Sequence, residues 1–80
     1  RLLRGILGEG RQPLRDHAVV SIDGTAVGET SSGNFSPMLG VGIALGFLDT
    51  STEIALGDAV EVEVRGRSVP ATIVKPPFWP

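Results

Sequence analysis

Residues 28–33 (GETSSG) carry the glycine spacing of a loop that cradles phosphate. Such a loop needs a Lys and a Ser/Thr directly after it to meet the terminal phosphates and the metal. Here Asn34 and Phe35 follow instead, and the segment lies between strands rather than before a long helix. Gly40-Val41-Gly42 starts a dinucleotide fingerprint but meets Leu45 where the third glycine belongs. Asp16, His17 and Ser31 supply the residue types of a hydrolytic triad, yet no nucleophile-elbow glycines surround any Ser. Glu61 and Glu63 are two carboxylates on one strand face, where alternation with valine turns them toward water. His17 is the sole histidine and there is no cysteine, so neither a thiolate nor a histidine-rich metal site can be assembled. Asn34-Phe35-Ser36 is a formal glycosylation triplet, with Pro37 behind it and no secretory signal before it. The hydroxyls of Thr30, Ser31 and Ser32 suit another task, that of satisfying loose backbone groups. No self-contained catalytic centre emerges.

Composition narrows the rest. The chain has 80 residues, with seven Lys+Arg against nine Asp+Glu and a formal charge of −2. A partner that neutralises many phosphates needs a basic surface, and three Phe and one Trp with no Tyr make a poor platform for stacked bases. Nucleic acid is therefore not an expected partner. Arg65, Arg67 and Lys75 read as cations that keep a hairpin soluble. The longest apolar run, residues 41–48, is interrupted by Gly42 and Gly46. It falls far short of the roughly 20 residues of a helical span, so no membrane partner is expected either. At this length folding buries ~60% of the chain's surface, enough for one small domain. The opening lacks an initiator Met and begins in a strand-like run, which reads as the start of an excised C-terminal piece.

Turn signals cut the chain into about six short strands, and no window shows helical periodicity. Residues 1–8 make the first. A polar connection leads to residues 17–22 and 25–31, which flank Asp23-Gly24, the hairpin dipeptide whose two positions need φ > 0. Residues 32–40 read as a loop with room for one helical turn, in which Pro37 takes the first position and Ser36 caps. Residues 42–48 are apolar without alternation and should be covered on both faces. Residues 60–64 (VEVEV) alternate without error, and residues 68–75 return after Arg65-Gly66-Arg67. Pro70 belongs at an edge or bulge. The expected fold is all-β: a six-stranded antiparallel barrel with at most one short helical turn. Its interior should hold Val60, Val62, Val64, Val69, Ala71, Ile73, Ile43 and Leu45. Phe35, Met38 and Leu39 read as a plug for one barrel mouth.

One ordered series of blocks goes further. Asp23-Gly24 is followed by residues 27–33 (VGETSSG), 35–39 (FSPML) and 42–47 (GIALGF), then by residues 60–71 (VEVEVRGRSVPA) and Pro77-Phe78. This order, with its spacings, resembles the C-terminal barrel domain of the glycine cleavage system T-protein family, the tetrahydrofolate-dependent aminomethyltransferases. The resemblance covers nearly the whole chain. One departure is that the acidic residue the family carries before the glycine is absent ahead of Gly8.

The resemblance implies that residues 1–80 are a single domain, the C-terminal barrel of a longer aminomethyltransferase. That parent takes an aminomethyl group from the lipoyl arm of H-protein and passes the one-carbon unit to tetrahydrofolate, releasing ammonia. The catalytic Asp and most pterin contacts lie in preceding domains, so no residue here is catalytic and tetrahydrofolate is not bound by this domain alone. The implied partners are the N-terminal folate-binding domains of the same chain and lipoylated H-protein. Phe78 and Trp79 are the candidates for the folate site or domain junction, and Thr30, Ser32 and Gly33 are the candidates of the motif loop. A basic residue that the family carries after Pro-Phe would fall beyond Pro80. The parent would be cytoplasmic in a bacterium and in the mitochondrial matrix of a eukaryote. The same barrel on a folate-dependent demethylase or a sarcosine or dimethylglycine dehydrogenase is the nearest alternative. A binding-only barrel of oligonucleotide type is the alternative of another class.

Overall fold

Alternating Val and Glu, paired glycine turns and an apolar first segment suit a small barrel or sandwich, and closing the sheet on itself removes the exposed edges of so short a chain. The computed structural model describes residues 2–49 and 54–75 and has that form. Its strands are β1 (Leu2–Gly8), β2 (Val19–Ile22), β3 (Thr25–Ser36), β4 (Val41–Leu48), β5 (Ala59–Val64) and β6 (Arg67–Val74). They pair antiparallel in the order β1-β4-β3-β2-β5-β6, and β6 closes on β1 through Ile6↔Ile73 and Gly8↔Ala71. No helix occurs among the described residues.

Two turns fix the hairpin registers. Asp23 and Gly24 take φ of 51° and 81°, so both central positions are left-handed and Ile22 faces Thr25. Arg65 and Gly66 repeat this at 53° and 78°, with Val64 facing Arg67. That register carries Val60, Val62 and Val64 inward beside Val69, Ala71 and Ile73, as the alternation predicts, and all six are buried. Ile6, Val20, Val27 and Leu48 complete the same core. Each buried Val, Leu or Ile among them contributes about 1.5–3 kcal/mol. Pro70 faces Glu61 of β5, and its carbonyl accepts from the Glu9 N–H at 3.1 Å. Its nitrogen, on the same flank as that carbonyl, lies opposite Glu9, one residue beyond the end of β1, so the missing donor removes no bond from the β1 ladder.

Three expectations are corrected. Ile43 and Leu45 do not line the interior. Gly42, Ala44, Gly46 and Leu48 point inward, and Ile43 and Leu45 are half-buried on the outer face. The reason is space: a Cβ at Gly42 would run into the Gln12 carbonyl oxygen and one at Gly46 would lie 2.9 Å from the Ile6 Cδ1, so from Gly42 to Gly46 the inward row of β4 is restricted to small residues, and only Leu48 at its end is large. Residues 32–36 are not loop. β3 continues through Ser36 after a bulge between Thr30 and Ser32, paired to β4 as far as Ser36↔Val41. The barrel mouth is not plugged by residues 35–39, since Met38 is 78% exposed and Leu39 is exposed as well. Its plug is Leu14, 1% exposed, from the connection between β1 and β2. The helical turn after Pro37 is reduced to one hydrogen-bonded turn: the Gly40 N–H donates to the Ser36 carbonyl at 2.7 Å, and the Leu39 N–H to Ser36 Oγ at 3.2 Å. Ser36 thus caps as its position predicts.

Candidate functional site

The motif segment 28–36 is held from inside the barrel by residues 10–18, which cross the mouth as a strap. The strap binds at both flanks. The Gly42 N–H donates to the Gly10 carbonyl at 3.1 Å, and the Leu14 N–H to the Asn34 carbonyl at 3.1 Å. Asp16 Oδ1 accepts the Gly33 N–H at 2.7 Å. This close approach explains two glycines. A Cβ on Gly33 would sit 2.5 Å from the Leu14 carbonyl carbon and oxygen, and one on Gly42 would sit 2.2 Å from the Gln12 carbonyl oxygen.

Thr30 is the centre of the arrangement. It is 0% exposed. Its hydroxyl accepts the Ala18 N–H at 2.8 Å and donates to the Arg15 carbonyl at 2.5 Å. The Thr30 backbone pairs with the strap as well, through its N–H to the Ala18 carbonyl at 2.9 Å and its carbonyl from the His17 N–H at 3.0 Å. A buried hydroxyl with both roles filled is a structural tie rather than a reacting group. Gly33 serves the same tie by leaving room for it. Ser31 Oγ, exposed, donates to the Leu45 carbonyl at 3.3 Å. Ser32 is different: it faces Leu45 across the outside of the sheet and is exposed.

Two open grooves adjoin the segment. One, of about 470 Å³, runs over the outer face of β3 and β4 and is lined by Ser32, Asn34, Phe35, Met38, Ile43 and Leu45 among others. The other, of about 530 Å³, lies where the strap crosses, between Pro13, Asp16 and Asn34. The first pairs an apolar floor with polar rims, which suits a side chain or a flat ligand held from outside. The strap groove is mostly backbone and polar.

The remaining candidates separate. His17 Nδ1 lies 3.8 Å from Glu29 Oε1 with both side chains largely exposed, and Ser31 is not part of that pair, so no triad forms. Arg65 and Arg67 sit at the β5–β6 turn, while Lys75 follows the other end of β6, so the three do not form one spot. Among the described residues no three His, Asp or Glu side chains gather as a metal site. Phe78 and Trp79 lie outside the described residues. Leu14 and Asp16, which organise the motif, were not legible as such: one apolar residue in a polar connection carries no period.

Against known proteins, the model of the glycine cleavage T-protein C-terminal barrel domain matches residues 1–80. The chain belongs to that family. Among curated relatives, the aminomethyltransferase of Frankia alni is 51% identical over 81 residues, and that of Mycobacterium avium is 47% identical over 78 residues. These matches cover 100% and 98% of the chain but 22% and 21% of the relatives. The chain thus spans about a fifth of the length of the relatives it matches. A crystal structure of glycine cleavage system aminomethyltransferase T from Bartonella henselae superposes with a TM-score of 0.78 at 28% identity, over 95% of this chain and 21% of that one.

Proposed function

We propose that the chain is the C-terminal barrel of a tetrahydrofolate-dependent aminomethyltransferase of the glycine cleavage system. In this reading the parent transfers a one-carbon unit from aminomethyl-lipoyl H-protein to tetrahydrofolate and releases ammonia. The single observation that carries it is the family match over residues 1–80, made on a chain that also folds as the family's barrel. The barrel itself contributes no reacting group. Its interior is filled by Ile6, Leu14, Val20, Val62 and Ile73, so a pterin has no enclosed place there. Both grooves beside the motif open outward. In this reading tetrahydrofolate is held by the preceding domains, and the barrel acts as a rigid wall that helps to close their site. The wall's shape near β3 depends on the Thr30 tie to the strap. Phe78 and Trp79 are assigned to the junction with those domains. A bacterial parent would work in the cytoplasm and a eukaryotic one in the mitochondrial matrix.

The test is turnover by the parent and by the 80-residue chain. The parent should form 5,10-methylenetetrahydrofolate and ammonia from aminomethyl-loaded H-protein. The isolated chain should form neither, because general acid or base chemistry needs a positioned group and a substrate pocket. Turnover by the isolated barrel would contradict the division of labour. A parent inert toward H-protein but active on sarcosine or dimethylglycine would move the chain to the related dehydrogenases.

A further inference from the structure

The outer surface of the barrel is sharply divided. On β5 and β6 most outward residues are polar or proline: Glu61 faces Pro70, Glu63 faces Ser68, and Thr72 faces Ala59, with Val74 at the end of β6 as the one larger apolar residue of the row. On β1 and β4 they are apolar. Inward positions Ile6, Ala44 and Leu48 are buried, so Leu3, Leu7, Ile43, Leu45 and Phe47 share the other face. The register sets Leu3 beside Phe47 and Leu7 beside Ile43, and Gly5, itself buried, lies beside Leu45. Leu3 is 40% and Phe47 42% exposed, and the groove toward Met38 continues the surface across β3. Small soluble proteins seldom leave so continuous an apolar face uncovered.

We infer that this β1–β4 face is the seat of the polypeptide that precedes Arg1 in the parent, and that the β5–β6 face stays in solvent. The inference rests on the reading of the chain as one domain of a longer protein. The chain matches about a fifth of its relatives' length, so most of such a parent lies outside it and has surface enough to cover one flank of the barrel. That polypeptide enters through β1, the strand that carries Leu3 and Leu7. A domain joined at β1 lies beside that strand's own outer face, with β4 and β6 as the flanking strands, and of these two it is β4 that carries the apolar row Ile43, Leu45 and Phe47. Apolar Leu3, Leu45 and Phe47 call for an apolar counterpart. The contact would bring the barrel's β3–β4 end, with Ser32 and Met38, against the neighbouring domain.

A photo-cross-linker places the partner directly. p-Benzoylphenylalanine replaces Phe47 in the purified full-length parent, a change that keeps an aromatic on an exposed site. A second variant carries it at Glu63 as the solvent-face control. After irradiation, peptides are mapped by mass spectrometry, and aminomethyl transfer is assayed on the same preparations. The expected result is a link from position 47 to a peptide preceding Arg1, at least about tenfold above any from position 63, because a docked neighbour is present at high effective concentration. Links between two parent molecules, links to other parts of the barrel or to a segment after Pro80, or no excess over position 63 would each overturn the assignment. The activity assay keeps the two readings apart. A linked but inactive parent refutes the enzymatic reading and leaves the face assigned. An active parent without the link refutes the face alone.

Discussion

Thr30→Val isolates the tie between the motif strand and the strap. Valine keeps the shape and removes only the hydroxyl. The Ala18 N–H, buried, then has no acceptor, which costs about 1–3 kcal/mol. The Arg15 carbonyl, partly buried, loses its donor at about 0.5–1.5 kcal/mol. The sum is about 1.5–4.5 kcal/mol, against a total stability of about 4–12 kcal/mol for a domain of this length. The melting temperature should fall on the order of 10–25 °C. Urea unfolding followed by far-UV circular dichroism measures the free-energy change directly. Thr30→Ser supplies the contrast, since serine keeps both hydrogen bonds and loses one methyl, roughly 1 kcal/mol. The ordering is the decisive part. If Thr30→Val costs less than Thr30→Ser, or less than about 0.5 kcal/mol, the hydroxyl is not what holds the strap and the argument from its two partners fails.

Gly33→Ala should destabilise by about 1–3 kcal/mol or more, because its Cβ would meet strap backbone at 2.5 Å and only displacement of the strap relieves it. Gly10→Ala, with nothing within 4 Å, should stay within about 0.5 kcal/mol in the same denaturation assay. Leu14→Ala opens the plugged mouth and should cost about 2–5 kcal/mol, with binding of a hydrophobic dye as a second readout. Arg65→Asn should raise stability by about 0.5–1 kcal/mol, since Arg65 holds φ of 53° in a two-residue turn that asparagine prefers; a loss in thermal unfolding would contradict the turn assignment.

Where sequence and structure agree, the controlling forces are local. Asp23-Gly24 and Arg65-Gly66 set their turns through φ alone, and the VEVEV alternation sets its face through side-chain period alone. Where they part, the controlling contact is distant in sequence. Residues 31–34 are Ser, Ser, Gly and Asn, a poor strand by propensity, yet β3 runs through them. The β4 ladder on one flank and the strap on the other satisfy their backbone, and neither is visible in a local window. β4 is the instructive case. Large apolar residues suggest an inward row at Ile43 and Leu45, but Gly42, Ala44 and Gly46 form an equally regular row of small ones. In a barrel this narrow, crossed by a strap, the small row must face inward. The alternation of small residues was the available signal, and it reads as packing only once the interior is known to be full.

The same fullness decides where function can reside. A wide barrel can hold a ligand in its lumen, but this one is packed through its axis by side chains from β1, β2, β5 and β6 and stoppered by Leu14. Anything the domain recognises must therefore approach from outside, and the outside is not uniform. Its polar β5–β6 side offers carboxylates and hydroxyls already at home in water. Its β1–β4 side offers Leu3 and Phe47 at a standing cost in hydration that burial would remove. The strand that carries a small inward row carries the large outward one, so the narrowness of the interior is itself what drives bulk onto the surface. In this barrel the packing that excludes a ligand from the core also creates the face on which a neighbouring domain can settle.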